Sequence, residues 1–154
     1  MGYTPREQID KINFFKLTWQ QFEDLSAEYI NEIFDEKNTV IEHTAYQNDG
    51  GKDIILQHFS KVANLTVWIE CKKHKENIGL EVIGKNIILV MSKHINKLIF
   101  LSASLITNSA KDNILLVAEA HGFEVAFLDG ENYKRELLKY PNILKHYFPD
   151  LTIQ

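Results

Sequence analysis

Two short apolar runs constrain this chain most: Lys97 to Ala103 (K-L-I-F-L-S-A) and Phe123 to Leu128 (F-E-V-A-F-L). Each is too apolar for a strand with one wet face, so each reads as a strand covered on both sides. Between them, Ile114, Leu115, Val117, Ala118 and Ala120 recur on a helical period through His121. Asn108 is the candidate cap of that helix, and Gly122 suits the position just past its end. Strand, helix and strand in this order imply a parallel crossover.

The flanking segments fit the same pattern. A helix is expected from Asn77 or Gly79 to Ser92, with Leu80, Ile83, Ile87, Ile88 and Met91 at helical spacing. Gly84 inside it costs about 1 kcal/mol relative to Ala, which points to a kink or a close contact. Asp129-Gly130 reads as a turn, Asn132 to Tyr140 as a helix ended by Pro141, and Ile143 to Gln154 as a tail too apolar for pure disorder. Near the start, Thr4-Pro5 reads as a cap and first helical residue, followed by Ile9, Ile12, Phe14 and Phe15. This helix packs on the domain or on a partner, or is a neutral extension. Thr18 with Gln21 offers a capping box for a stronger helix carrying Trp19, Phe22, Leu25, Ala27, Tyr29, Ile30 and Ile33. Thr39–Tyr46, Asp53–Phe59 and Leu65–Lys72 then read as three strands in an antiparallel meander. The fold class is α/β: a mixed central sheet, the meander followed by parallel crossover strands, flanked by helices on both faces.

At 154 residues the chain fits one domain, 1–154, with a core of about 17–140 and the first helix and tail as additions. Cys71 is the only cysteine, so no intrachain disulfide is available, which suits a reducing compartment. With no secretory signal and no apolar run of about 18 residues, the expected location is the cytoplasm and no membrane partner is expected. A net charge of −4 argues against a generic polyanion binder and leaves room for a local basic cluster at Lys72, Lys73, His74, Lys75 and Lys85. No phosphate-binding G-x-x-x-x-G-K-[ST] loop is present, which speaks against ATP hydrolysis.

Chemistry concentrates between Asn48 and His74, where N-D-G-G-K-D is followed by W-I-E-C-K-K-H. Successive side chains of a strand face opposite ways, so Glu70 and Lys72 share one face and Ile69 and Cys71 the other. If Asp53 heads the neighbouring strand, two carboxylates and an ammonium converge at one sheet end. Two acids can hold a hard divalent cation, and a lysine beside them can steer a water or stabilise developing negative charge. Singly, Asp53 reads as a turn carboxylate and Glu70 with Lys72 as a structural ion pair; together, at this spacing, they read as a site. Glu23 and Glu28 lie on the second helix, where acids are usually solvated. Cys71 reads as core, and Ser102 and Ser104 as satisfied strand-end hydroxyls.

With W-Q-Q-F-E-D-L at Trp19–Leu25, D-G-G-K-D at Asp49–Asp53, E-C-K at Glu70–Lys72 and V-A-F-L-D-G at Val125–Gly130, the chain resembles the PD-(D/E)XK nuclease superfamily, in its Mrr-like restriction endonuclease branch. The resemblance runs from Leu17 to about Leu138 and implies a restriction-endonuclease-like core. It implies that Asp53 and Glu70 ligate a metal, Mg2+ or Mn2+ in its place. It further implies that Lys72 positions or activates the attacking water and that Glu23 completes the metal site. Many Mrr-like members carry Gln where this chain has Glu70. Lys73, His74 and Lys75 are candidate DNA contacts. The implied function is a metal-dependent DNA endonuclease in restriction or anti-phage defence. The alternatives are a catalytically silent DNA-binding or assembly module, or a branched-DNA resolvase. Double-strand cutting by a chain with one site implies a homodimer or a larger defence assembly. The apolar residues of the first helix and tail, if exposed, are the only sequence hint of such an interface.

Overall fold

The computed structural model describes residues 4–34, 39–45, 52–59, 64–92 and 94–151, and only the backbone course of residues 39–45, 52–59, 64–65, 85, 86 and 89. The turn expected over 47–51, the helix end at 35–38 and most of the turn over 60–64 lie outside the described residues.

The elements in chain order are α1 (Pro5–Lys11), a 3-10 turn (Phe14–Lys16), α2 (Trp19–Ile33), β1 (Thr39–Ala45), β2 (Lys52–Phe59), β3 (Asn64–Lys72), α3 (Leu80–Ser92), β4 (Lys97–Ser102), α4 (Asn108–His121), β5 (Glu124–Asp129), α5 (Glu131–Leu137) and α6 (Pro141–Tyr147). Local chemistry sets many of these ends. Thr18 Oγ1 accepts from the Gln21 amide at 3.1 Å, and the Gln21 side chain accepts from the Thr18 amide at 2.8 Å. Thr4 and Glu7 close the same reciprocal box on α1, with Pro5 at the first helical position. The cap of α4 is Thr107 and not Asn108. The threonine has extended backbone and its hydroxyl accepts from the Ala110 amide at 3.2 Å, while Asn108 is already helical. Gly122 takes the left-handed conformation that ends α4, at φ 74°. Pro141 does not follow one long helix. It opens α6, where its missing N–H costs no helical bond. At Gly84 the helix α3 continues without a break, and among the described residues an added Cβ would meet only the Leu80 side chain, at 3.9 Å.

Among the described residues, five strands form one sheet in the order β1-β2-β3-β4-β5. Three of the five strands, β3, β4 and β5, run parallel, in register Ile69↔Ile99↔Ala126, while the β1–β2 and β2–β3 ladders are antiparallel. The strand β3 belongs to both kinds of ladder, because its exit through α3 returns the chain beside it in the same direction.

Each sheet face has its own core. On one face Val67, Ile69 and Cys71 of β3 and Ile99 and Leu101 of β4 pack with Phe22, Leu25, Tyr29 and Ile30 of α2 and with α5 and α6. On the other, Trp68, Leu98 and Phe100 pack with Ile83, Ile87 and Val90 of α3 and Ala110, Ile114 and Ala118 of α4. The first helix and the tail are part of this packing. Ile9, Ile12, Phe14, Ile143, Leu144, Phe148 and Leu151 are all buried, with Phe14 edge-on to Phe22 and Tyr133 at 5.3 and 5.2 Å. They cover the chain's own core, which removes them as the hint of a partner interface, while Phe15 stays 39% exposed. Among the described residues no helix is long and apolar enough to cross a membrane.

Candidate active site

The strand period decides the geometry at the end of β3. Val67, Ile69 and Cys71 enter the core beneath α2, and Cys71 is a buried core thiol. Trp68, Glu70 and Lys72 occupy the alternate positions. Glu70 and Lys72 are both buried, and their side chains are 1% and 6% exposed. Lys72 Nζ stands 3.7 Å from Glu70 Oε2. The Trp68 indole N–H donates to Glu70 Oε1 at 2.5 Å. Each carboxylate oxygen thus has its own neighbour. Two charges taken this far out of water persist only where polar partners compensate them.

The sheet brings further groups to the same level. Parallel pairing sets Glu70 beside Phe100 and Lys72 beside Ser102, and Ser102 in turn beside Asp129. The Lys72 carbonyl accepts from the Ala103 amide at 2.9 Å, tying the strand end to the loop after β4. The hydroxyls of Ser102 and Ser104 are engaged by backbone: Ser102 Oγ donates to the Ser104 carbonyl at 2.7 Å, and Ser104 Oγ to the Glu76 carbonyl at 2.8 Å.

Asp53 falls in β2, opposite Thr44 of β1. The β2–β3 ladder pairs Ile54 with Ile69, so the next step of the register sets position 53 against position 70. The Asp53 side chain lies outside the described residues. Glu23 is only 2% exposed on α2, unlike the solvated glutamate expected at most such positions. Glu28 on the same helix is partly exposed and accepts from the Tyr147 hydroxyl at 3.0 Å. Lys73 follows β3 with its Nζ 5.6 Å from the centre of the Phe15 ring, and His74 and Lys75 are exposed. Among the described residues, no three His, Cys, Asp or Glu side chains form a cluster that could hold a metal ion. The donor chemistry nonetheless suits a hard divalent cation, because the site's acids offer oxygen ligands and one of them is buried and oriented.

Two participants escape a reading of the sequence. Trp68 sits two positions before Glu70, so W-x-E on a strand was the available signal for their contact. Asp129 reads as a turn residue in D-G, yet it ends β5 fully buried and pairs with Lys111 at 2.9 Å. A cavity of about 570 Å³ opens elsewhere, between Lys11, Lys16 and Gln21 on one side and Tyr147 to Leu151 on the other, and it includes neither Glu70 nor Lys72.

The profile of a restriction endonuclease family, Mrr_cat, matches residues 14–136. Among the solved structures that resemble the chain are two restriction endonucleases. One is the DNA modification-dependent restriction endonuclease AspBHI, with a TM-score of 0.56 and 14% identity over 98% of this chain. The other is the MspJI restriction endonuclease in complex with a 27-mer oligonucleotide, with a TM-score of 0.56 and 12% identity over 99% of this chain. This chain spans 41% of the first and 40% of the second, and likeness at these identities speaks for the fold alone. No curated protein matches the sequence.

Proposed function

This chain belongs to the Mrr_cat restriction endonuclease family, and from that premise we propose that it hydrolyses DNA phosphodiester bonds with the help of a divalent cation, Mg2+ or Mn2+ in its place. The observation that carries the reading is the buried Glu70–Lys72 pair at the end of β3, next to the register position of Asp53. A structural pair alone would gain little from such burial, since desolvating both charges offsets most of their attraction.

Asp53 and Glu70 would hold the cation, and Glu23 on α2 would complete its acidic shell. Bound there, such a cation supplies Lewis-acid polarisation of a phosphoryl oxygen and a more acidic water. The remaining work belongs to the chain. Lys72 orients the attacking water and offsets negative charge as it develops on the phosphate. Glu70 keeps the Lys72 ammonium beside it. Lys73, His74 and Lys75, just beyond the site lysine, contact the phosphate backbone and set the register of the strand to be cut. The DNA would be cut in the cytoplasm, as part of restriction or defence against phage. Cutting both strands takes two such sites, supplied by a second copy of the chain or by a larger assembly.

The test is cleavage of plasmid DNA with and without Mg2+. Asp53→Ala, Glu70→Ala and Lys72→Ala should each lower the rate by at least about 100-fold, the order of loss seen when a preorganised charge partner is removed. Undiminished cutting by all three variants rejects the reading.

A further inference from the structure

We propose that Trp68 is a positioning residue, whose indole N–H holds the Glu70 carboxylate in the one orientation that presents it to a divalent cation. The inference rests on the reading of Glu70 as a metal ligand. Trp68 is wholly buried and Glu70 nearly so, and the bond between them runs from Nε1 to Oε1. An indole N–H can only donate and a carboxylate can only accept, so the direction of this bond is fixed. The indole itself is anchored, packed in the core with Leu98, Phe100, Ile83 and Ile87. Glu70 is therefore held from two sides, by Trp68 at one oxygen and by Lys72 at 3.7 Å from the other. Outer partners that fix a ligand's orientation typically carry 10- to 100-fold in metal affinity (about) when mutated. The competing account is that Trp68 is only a core plug whose N–H needed an acceptor. That account predicts lost stability and unchanged metal binding.

Calorimetric titration of Mn2+ into the full chain separates the two. Trp68→Phe keeps an apolar ring and removes the donor, and it should weaken Mn2+ binding by about 10- to 100-fold. In a Glu70→Gln background the same substitution should add nothing, because the group it acts through is gone. A second measurement does not depend on the folding of Trp68→Phe. The chain has two tryptophans, Trp19 and Trp68, so Trp19→Phe leaves Trp68 as the only one. Its emission should change saturably with Mg2+, and should not respond when Glu70→Gln is added. Unaltered Mn2+ affinity in Trp68→Phe overturns the inference. So does emission that ignores a cation which calorimetry shows to be bound. Either result would leave the nuclease reading standing, whereas a wild-type chain that binds neither cation would remove that reading first.

Discussion

Lys111 of α4 and Asp129 at the end of β5 meet at 2.9 Å, with the carboxylate fully buried and the lysine side chain 23% exposed. The same carboxylate accepts from the Ile106 amide at 2.7 Å and from Asn132 Nδ2 at 3.1 Å. One acid thus joins α4, the loop after β4 and the start of α5. The loop reaches further, because Ile106 bridges to Ile78, a few residues past Lys73, His74 and Lys75. Asp129 therefore braces, from a distance, the segment that follows Lys72.

Asp129→Ala removes the acceptor for a buried amide and leaves a half-buried ammonium without its carboxylate. Breaking one side of a buried pair costs about 3–5 kcal/mol, and urea unfolding should show a loss of that size. Asp129→Asn keeps a carbonyl acceptor and should lose less. Equal midpoints for Asp129→Ala and wild type would show that the loop does not depend on this carboxylate.

Glu70 and Lys72 should show the opposite balance when removed together. Lys72→Met leaves the buried Glu70 charge with less compensation and should destabilise by about 3 kcal/mol. Glu70→Leu combined with Lys72→Met replaces the pair with apolar bulk. That change is often neutral or stabilising by about 1–4 kcal/mol. The double variant also takes the Glu70 acceptor from the Trp68 indole N–H, a loss of about 1–3 kcal/mol, so it should melt near the wild type while cutting no DNA, as expected where a site is maintained at the expense of stability. A double variant less stable than Lys72→Met alone would mean that the pair exists for folding.

How much of this could be read in advance varies with the range of the interaction. The boxes at Thr18–Gln21 and Thr4–Glu7 are local, so four residues of sequence suffice. The shared face of Glu70 and Lys72 follows from the two-residue strand period, and the contact of Trp68 with Glu70 obeys the same period. Burial of Glu23 could not be read, because an acid on a helix gives no sign of what will cover it. The apolar residues of α1 and the tail carry the right spacing for packing, but spacing does not say on what. The role of Asp129 depends on Lys111, a whole crossover away, so D-G alone suggested only a turn.

Three tyrosines predict a loss of stability at alkaline pH. Burial pushes the Tyr133 phenol well above its ordinary value of 10.0, partly offset by its hydrogen bond with Ser26. Burial also raises Tyr29 and Tyr147, reinforced by Glu136 and Glu28 respectively. Above about pH 10 the unfolded chain gives up phenolic protons that the folded chain retains. Folding stability from these groups is complete below that pH and declines as pH rises beyond it. Urea unfolding between pH 8 and pH 11 should show this decline, and Tyr133→Phe should make it shallower at some cost at pH 8. Flat stability across that window would contradict the raised values.

Gly84 offers the simplest gain. It lies mid-way along α3, which runs unbroken from Leu80 to Ser92, at a position with no left-handed backbone to preserve. Among the described residues an added methyl meets only Leu80, at an ordinary contact distance of 3.9 Å. Gly in a helix interior costs about 0.5–1 kcal/mol relative to Ala, through the freedom it regains on unfolding. Gly84→Ala should recover that amount, raising the melting temperature by about 1–4 °C for a chain of this size. Since α3 packs behind Trp68, on the side of the sheet that carries Glu70, DNA cleavage should be unchanged if the helix keeps its place. A lower melting temperature would mean that the glycine serves a close approach.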